Sequence, residues 1–187
     1  MNMTTPLANQ FLIAMPGLGD PHFFRTVTLV CEHSAEGAMG IIINRPVDLT
    51  LGEVFEQLDI AHSDSRAAGQ AVYLGGPIQN NRGFVLHEPL GAYESTLAVS
   101  ATLGVSTSRD VLAAIANHKG PAHFLLALGY AGWGPGQLEQ EIADNAWLCV
   151  PASAEILFKT PSEARWSAAA HLLGVDMAQL CGDVGHA

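Results

Sequence analysis

The chain has 187 residues, 49% hydrophobic and 14% charged. That composition packs a core and excludes a disordered chain. Its 18 acids and 8 bases leave a formal net charge of -10, which repels nucleic acid unless the bases cluster. They do not: Arg25, Arg45, Arg66, Arg82, Arg109, Lys119, Lys159 and Arg165 are each isolated. The stretch from Lys119 to Lys159 has no base between its ends but holds Glu139, Glu141, Asp144 and Glu155. Direct nucleic-acid binding is therefore disfavoured.

The apolar run Phe11–Met15, stopped by Pro16 and Gly17, reads as a buried strand. It is too short for a signal-peptide core or a membrane span. From Arg25 to His33 the residues alternate, placing Val27, Leu29, Cys31 and His33 on one face. The β-branched run Gly40–Asn44 follows a turn at Glu36-Gly37 and predicts a hairpin. Thr50 with Glu53 predicts a capped helix carrying Val54, Phe55 and Leu58. Asp59–Gln70 is polar and small and reads as a loop.

Val72–Leu74 and Phe84–Leu86 predict two short strands. The turn Gly75-Gly76-Pro77 and the polar Gln79-Asn80-Asn81 lie between them. Thr107 with Asp110 predicts a helix bearing Val111, Leu112 and Ile115, closed by Gly120 and Pro121. Phe124–Leu128 and Trp147–Val150 are strands, with a short helix marked by Leu138 and Ile142 between them. Thr160 with Glu163, and Pro161 at the first helical position, predict a last helix with Trp166, Ala169, Ala170 and Leu173 on one stripe. Strands come first, then helices interleaved with strands. The order is not a regular βαβ alternation, so the class is α+β. One domain over residues 1–187 accounts for the length, with 1–6 and 177–187 as frayed tails.

Cys31, Cys149 and Cys181 are an odd set without regular spacing, which argues for a reducing compartment and a cytoplasmic protein rather than a disulfide framework. Gly17-Leu18-Gly19-Asp20 opens like a dinucleotide loop, but His22 stands where the next glycine is needed. Phosphate-loop, nucleophile-elbow and zinc motifs are missing. No catalytic residues, metal ligands or cofactor follow from the sequence.

Polar and aromatic positions gather in two stretches. Asn44-Arg45-Pro46 ends an apolar strand, and an arginine there can clamp a carboxylate or phosphate or pair within the fold. Gly129–Gln137 holds four glycines with Tyr130 and Trp133, either a ligand or partner surface or a tight crossover whose aromatics finish the core. Gln137 and Glu141, four apart, share a helix face. Asn44, Arg45, His87, Tyr130, Trp133, Gln137 and Glu141 are thus the candidate binding residues, followed by Asp20, Cys31 and His33. Cys31 and His33 can be metal ligands only if others converge on them; otherwise they are a buried thiol and a core histidine.

The ordered motifs Leu12–Pro16 with Asp20, Cys31-Glu32-His33, Gly40–Pro46, Gly75-Gly76-Pro77, Val85-Leu86-His87, Gly129–Trp133 and Gln137-Leu138-Glu139 with Glu141 together resemble the YqgE/AlgH family of small bacterial proteins. The resemblance runs from about Leu7 to Val175. It implies a single α+β domain of coiled, bifurcated, mostly antiparallel β-sheets with helices packed on them. Some members are labelled as regulators of alginate transcription, a label that carries no DNA-binding mechanism. The resemblance assigns no catalytic residues. Three readings stand in order. The first is a non-catalytic binding or regulatory module with a protein or small-metabolite partner. The second is an enzyme whose dispersed site uses His87, His33 and Asp20 around Arg45. The third is a direct DNA-binding regulator.

Overall fold

The computed structural model describes residues 6–177. Cys181 and most of the expected tails lie outside that range, and Met177, at its end, is buried. The described residues contain ten strands and six α-helices, and every strand pairing is antiparallel except one. The class is α+β. The chain gathers into two compact units, residues 1–44 with 131–187 and residues 45–130.

In the first unit, β1 (Gln10–Ala14) lies between β10 (Trp147–Pro151) and β2 (Val27–Ser34). A two-residue turn joins β2 to β3 (Gly37–Ile42). Residues 131–133, the end of β9 (His123–Trp133), pair with β3. One face of this sheet is packed by Leu12, Ala14, Val30, Ala131, Trp133 and Trp147 with Leu138 of α4 (Gln137–Ala143). Helix α5 (Ala154–Phe158) starts at Ser153, whose hydroxyl accepts from the Ile156 amide at 3.3 Å. A 3-10 turn at Ser162–Ala164 then leads into α6 (Arg165–His171). The indole of Trp166 donates to the Ala14 carbonyl at 2.9 Å, and the buried Arg165 guanidinium donates to the Ile43 and Thr160 carbonyls.

The second unit is built on residues 123–130 of β9. On one side β9 pairs with β6 (Ile78–Glu88), which is followed by β8 (Gly104–Ser106) and β7 (Thr96–Ala98). On its other side β5 (Ala71–Leu74) runs parallel to it, the one parallel pair, and β4 (Pro46–Thr50) pairs with β5. Helices α1 (Leu51–Gln57) and α3 (Arg109–Ala116) cover this sheet with Leu51, Val54, Phe55, Val111, Leu112 and Ile115. Phe55 is fully buried, a burial that contributes about 1.5–3 kcal/mol.

Several expectations are corrected. The alternation in β2 breaks where Cys31 bulges out of register, between the pairs Val30↔Gly40 and Glu32↔Met39. Beyond an extra residue the faces exchange, so His33 points to the side of Val30 instead of that of Leu29. The polar Gln79-Asn80-Asn81, expected between two strands, is part of β6, in the irregular stretch between Ile78 and Gly83. Gly129–Trp133, expected to follow the strand Phe124–Leu128, instead continues it to the end of β9.

The segment 59–70 holds a short helix, α2 (Ser65–Ala68), capped by the Asp64 carboxylate and anchored by the buried Ala67. Helix α3 begins after Ser108, because Thr107 bonds Ser95 and Asp110 is taken by Ser108 and the Glu94 amide. The last α-helix begins at Arg165 rather than Pro161, and Leu173 is exposed beyond its end. Strands β4, β7 and β8 and helix α5 carry too few residues for a periodicity to show in the sequence.

Candidate functional site

Trp133, Gln137 and Glu141, picked from the sequence, do come together. Strand β9 ends at Trp133, and Gly136 in the left-handed region (φ 73°) starts α4. One turn along α4 stands Glu141. One oxygen of its carboxylate accepts the indole N–H of Trp133 at 3.1 Å and that of Trp147 at 3.0 Å. The other accepts the Gln137 amide at 3.0 Å, while the Gln137 carbonyl oxygen accepts from the Gly134 amide at 3.0 Å. Phe23 packs its ring against both indoles. Both tryptophans are buried. The carboxylate is thus the acceptor that lets two indoles enter the core with their N–H groups satisfied. The arrangement holds strand β9, helix α4 and strand β10 together.

His33 joins a separate network on the same unit. Its Nδ1 accepts the Leu7 amide at 3.1 Å, so Nε2 carries the proton and donates to the Glu139 carboxylate of α4. Cys31 is buried, its thiol donating to the Leu29 carbonyl at 3.6 Å, and burial together with the neighbouring Glu32 charge pushes its pKa well above the ordinary thiol range. Among the described residues no group of three or more His, Cys, Asp or Glu side chains is placed to hold a metal. Asn44 bonds the backbone on either side of Thr26. Its carbonyl oxygen accepts the Val27 amide at 2.9 Å and its amide donates to the Arg25 carbonyl at 3.0 Å, fixing Arg25 at φ 54°. Asp20 caps a turn by accepting the His22 amide at 2.9 Å.

In the second unit His87 is fully buried. Its Nδ1 donates to the Pro89 carbonyl at 2.9 Å, leaving Nε2 to accept the Ser106 hydroxyl at 2.7 Å. Ser106 in turn accepts from Thr96 at 2.7 Å. The Tyr93 ring stands edge-on to the imidazole, 5.2 Å away. This is a serine–histidine pair, but closed off from solvent. Tyr130 packs edge-on against Phe84 at 5.6 Å. The Arg45 carbonyl accepts the Leu74 amide at 2.8 Å, tying the start of β4 to the end of β5. His33 and Asp20 in the first unit and His87 in the second each bond different partners.

Two open clefts, both in the second unit, were not anticipated. One, of about 460 Å³, is lined by Asp64, Arg66, His118 and His123 among others; His118 Nδ1 lies 3.3 Å from the Asp64 carboxylate. The other, of about 370 Å³, has an apolar floor that includes Val54, Leu112 and Leu126, and a rim carrying Arg82 and Arg109. Their residues are scattered between positions 49 and 128 with no motif spacing, so no sequence signal marks them. The Trp147 and Ser106 partners were likewise hidden, because a hydrogen-bond partner is chosen by the fold.

The sequence matches the AlgH-like family over residues 11–178. The chain belongs to that family. A UPF0301 protein of Thioalkalivibrio sulfidiphilus is 59% identical over all of both chains. One from Nitrosococcus oceani is 55% identical over 96% of each. The solution structure of the AlgH protein from Pseudomonas aeruginosa is similar with a TM-score of 0.80 at 51% identity, covering 100% of this chain and 99% of that one. A crystal structure of a Corynebacterium diphtheriae protein shares the fold at a TM-score of 0.72 and 21% identity, covering 97% and 94% of the two chains. The family read from the ordered motifs is confirmed.

Proposed function

We propose that this AlgH-like chain is a non-catalytic cytoplasmic binding or regulatory module that acts through contacts with a protein or a small metabolite. One observation supports the reading: the acid–base side chains singled out from the sequence are spent inside the fold. His87 is closed between Pro89 and Ser106, His33 between Leu7 and Glu139, and Glu141 between two indoles and an amide. A general base has to reach its substrate's proton directly or through one water, and these groups face their own backbone and neighbours. Native mass spectrometry of the protein as isolated from cells, paired with turnover assays on chromogenic esters and phosphoesters, tests this. A bound metabolite or partner without turnover is expected. Saturable turnover with single-enzyme kinetics would remove the reading.

A hydrolase-like activity is the second reading, and the His118–Asp64 pair beside an open cleft favours it. It requires that His118→Asn abolish any turnover while leaving the melting temperature in place. Direct DNA binding ranks below both on charge.

A further inference from the structure

We propose that the cleft of about 370 Å³ in the second unit binds a small organic anion: an apolar body lying on the floor, with a carboxylate or phosphate head held by Arg82 and Arg109. The proposal rests on the binding-module reading and gives it a ligand class. The floor draws on four elements, with Leu49 from β4, Val54 from α1, Leu112 from α3 and Leu126 from β9. Leu58 at the same cleft is 41% exposed, an apolar surface that a ligand body would cover. The volume falls in the range of small-molecule sites, roughly 300–1,000 Å³, and is too small for a protein partner's footprint.

The charge is the second and independent part of the argument. The only charged side chains lining the cleft are arginines, in a chain where acids outnumber bases 18 to 8. Neither arginine has a carboxylate partner among the described residues. Arg82 lies over the Phe84 ring at 5.5 Å and reaches Gln79 at 3.4 Å. Arg109 donates to the Leu58 and Asp59 carbonyls. Asp110, its chain neighbour, is occupied by the Ser108 hydroxyl and by the Glu94 and Val111 amides. Two guanidinium groups held by neutral partners beside an apolar floor keep their charge for an incoming anion. Their fork geometry suits carboxylate and phosphate oxygens.

The test is amide NMR of the full chain titrated with octanoate, octyl phosphate, octanol and octylamine. Shifts are expected to gather on residues 49–58, 81–83, 107–112 and 126–128. Each anion should bind at least about tenfold tighter than octanol, a difference of ~1.4 kcal/mol, and the preference should fall as salt is added. The tighter of the two anions identifies the head group. Arg82→Gln should remove most of the preference and leave octanol binding unchanged. Arg82 is exposed and, among the described residues, contacts Gln79 and Phe84, so this variant should fold even if Arg109→Gln, which loses its bonds to Leu58 and Asp59, does not. Equal binding of octanol or octylamine, or shifts centred elsewhere, would overturn the proposal. Hydrolysis of an octanoate ester with anion binding intact would fail the binding-module reading and leave the cleft standing. A cell-derived adduct that survives Arg82→Gln unchanged would do the reverse.

Discussion

Glu141 shows how one residue can look like a functional site and be explained by packing. Two buried indoles donate to a single carboxylate oxygen. Removing that acceptor strands both donors, and an orphaned buried donor costs about 1–3 kcal/mol. Glu141→Ala should therefore lose about 2–4 kcal/mol in urea unfolding, while Glu141→Gln, which keeps one oxygen, should lose clearly less. Equal losses in the two variants would mean the indole bonds contribute little. Cys31 makes a prediction of opposite chemistry. Its folded pKa is raised by burial and by Glu32, so the folded thiol keeps its proton where the unfolded thiol, with a pKa near ~8.5, releases it. The stabilising contribution is thus complete below about pH 8.5 and is lost as pH rises beyond it. Stability measured from pH 7 to 10 should fall more steeply in the native chain than in Cys31→Ala. Parallel profiles would contradict the burial argument.

Among the elements, the Gly-rich stretch after β9's apolar half was the strongest local signal, and its glycines divide by geometry. Gly129 has φ 79°, and a Cβ there would stand 2.4 Å from the Gly76 carbonyl oxygen. Gly134 would place its Cβ no nearer than 3.9 Å to Gln137. Gly129→Ala should cost more than about 3 kcal/mol or prevent folding, whereas Gly134→Ala should stay within about 1 kcal/mol. Comparable melting temperatures for the two variants would show that the turn between β5 and β6 yields easily. Strand β2 was legible from its alternation, β1 and β3 from unbroken apolar runs, and α1 and α3 from their apolar stripes beside cap residues. The bulge at Cys31 was not, since one extra residue changes the facing of His33 without changing any residue's hydrophobicity.

Across the whole molecule the net charge is the property that acts at a distance. With -10 charges and scattered bases, the protein should fail to retard duplex DNA even at about 20 mM salt, where counterion release most favours binding. Retardation that weakens steeply with added salt would restore the regulator reading. No helix among the described residues is long and apolar enough to cross a membrane.

The sequence alone determined the class, most of the strands and the family, because periodicity, turn residues and ordered motifs are local and survive without a fold. It also brought Trp133, Gln137 and Glu141 to attention, since they are four apart along the helix or adjacent to its start. Only the tertiary structure decided that Glu141 answers two indoles and that His87 bonds Ser106 across 19 positions. It alone made a cleft in which Arg82 and Arg109 face an apolar floor. Partners of that kind are chosen by sheet register and helix docking, which bring together residues whose separation along the chain carries no signal.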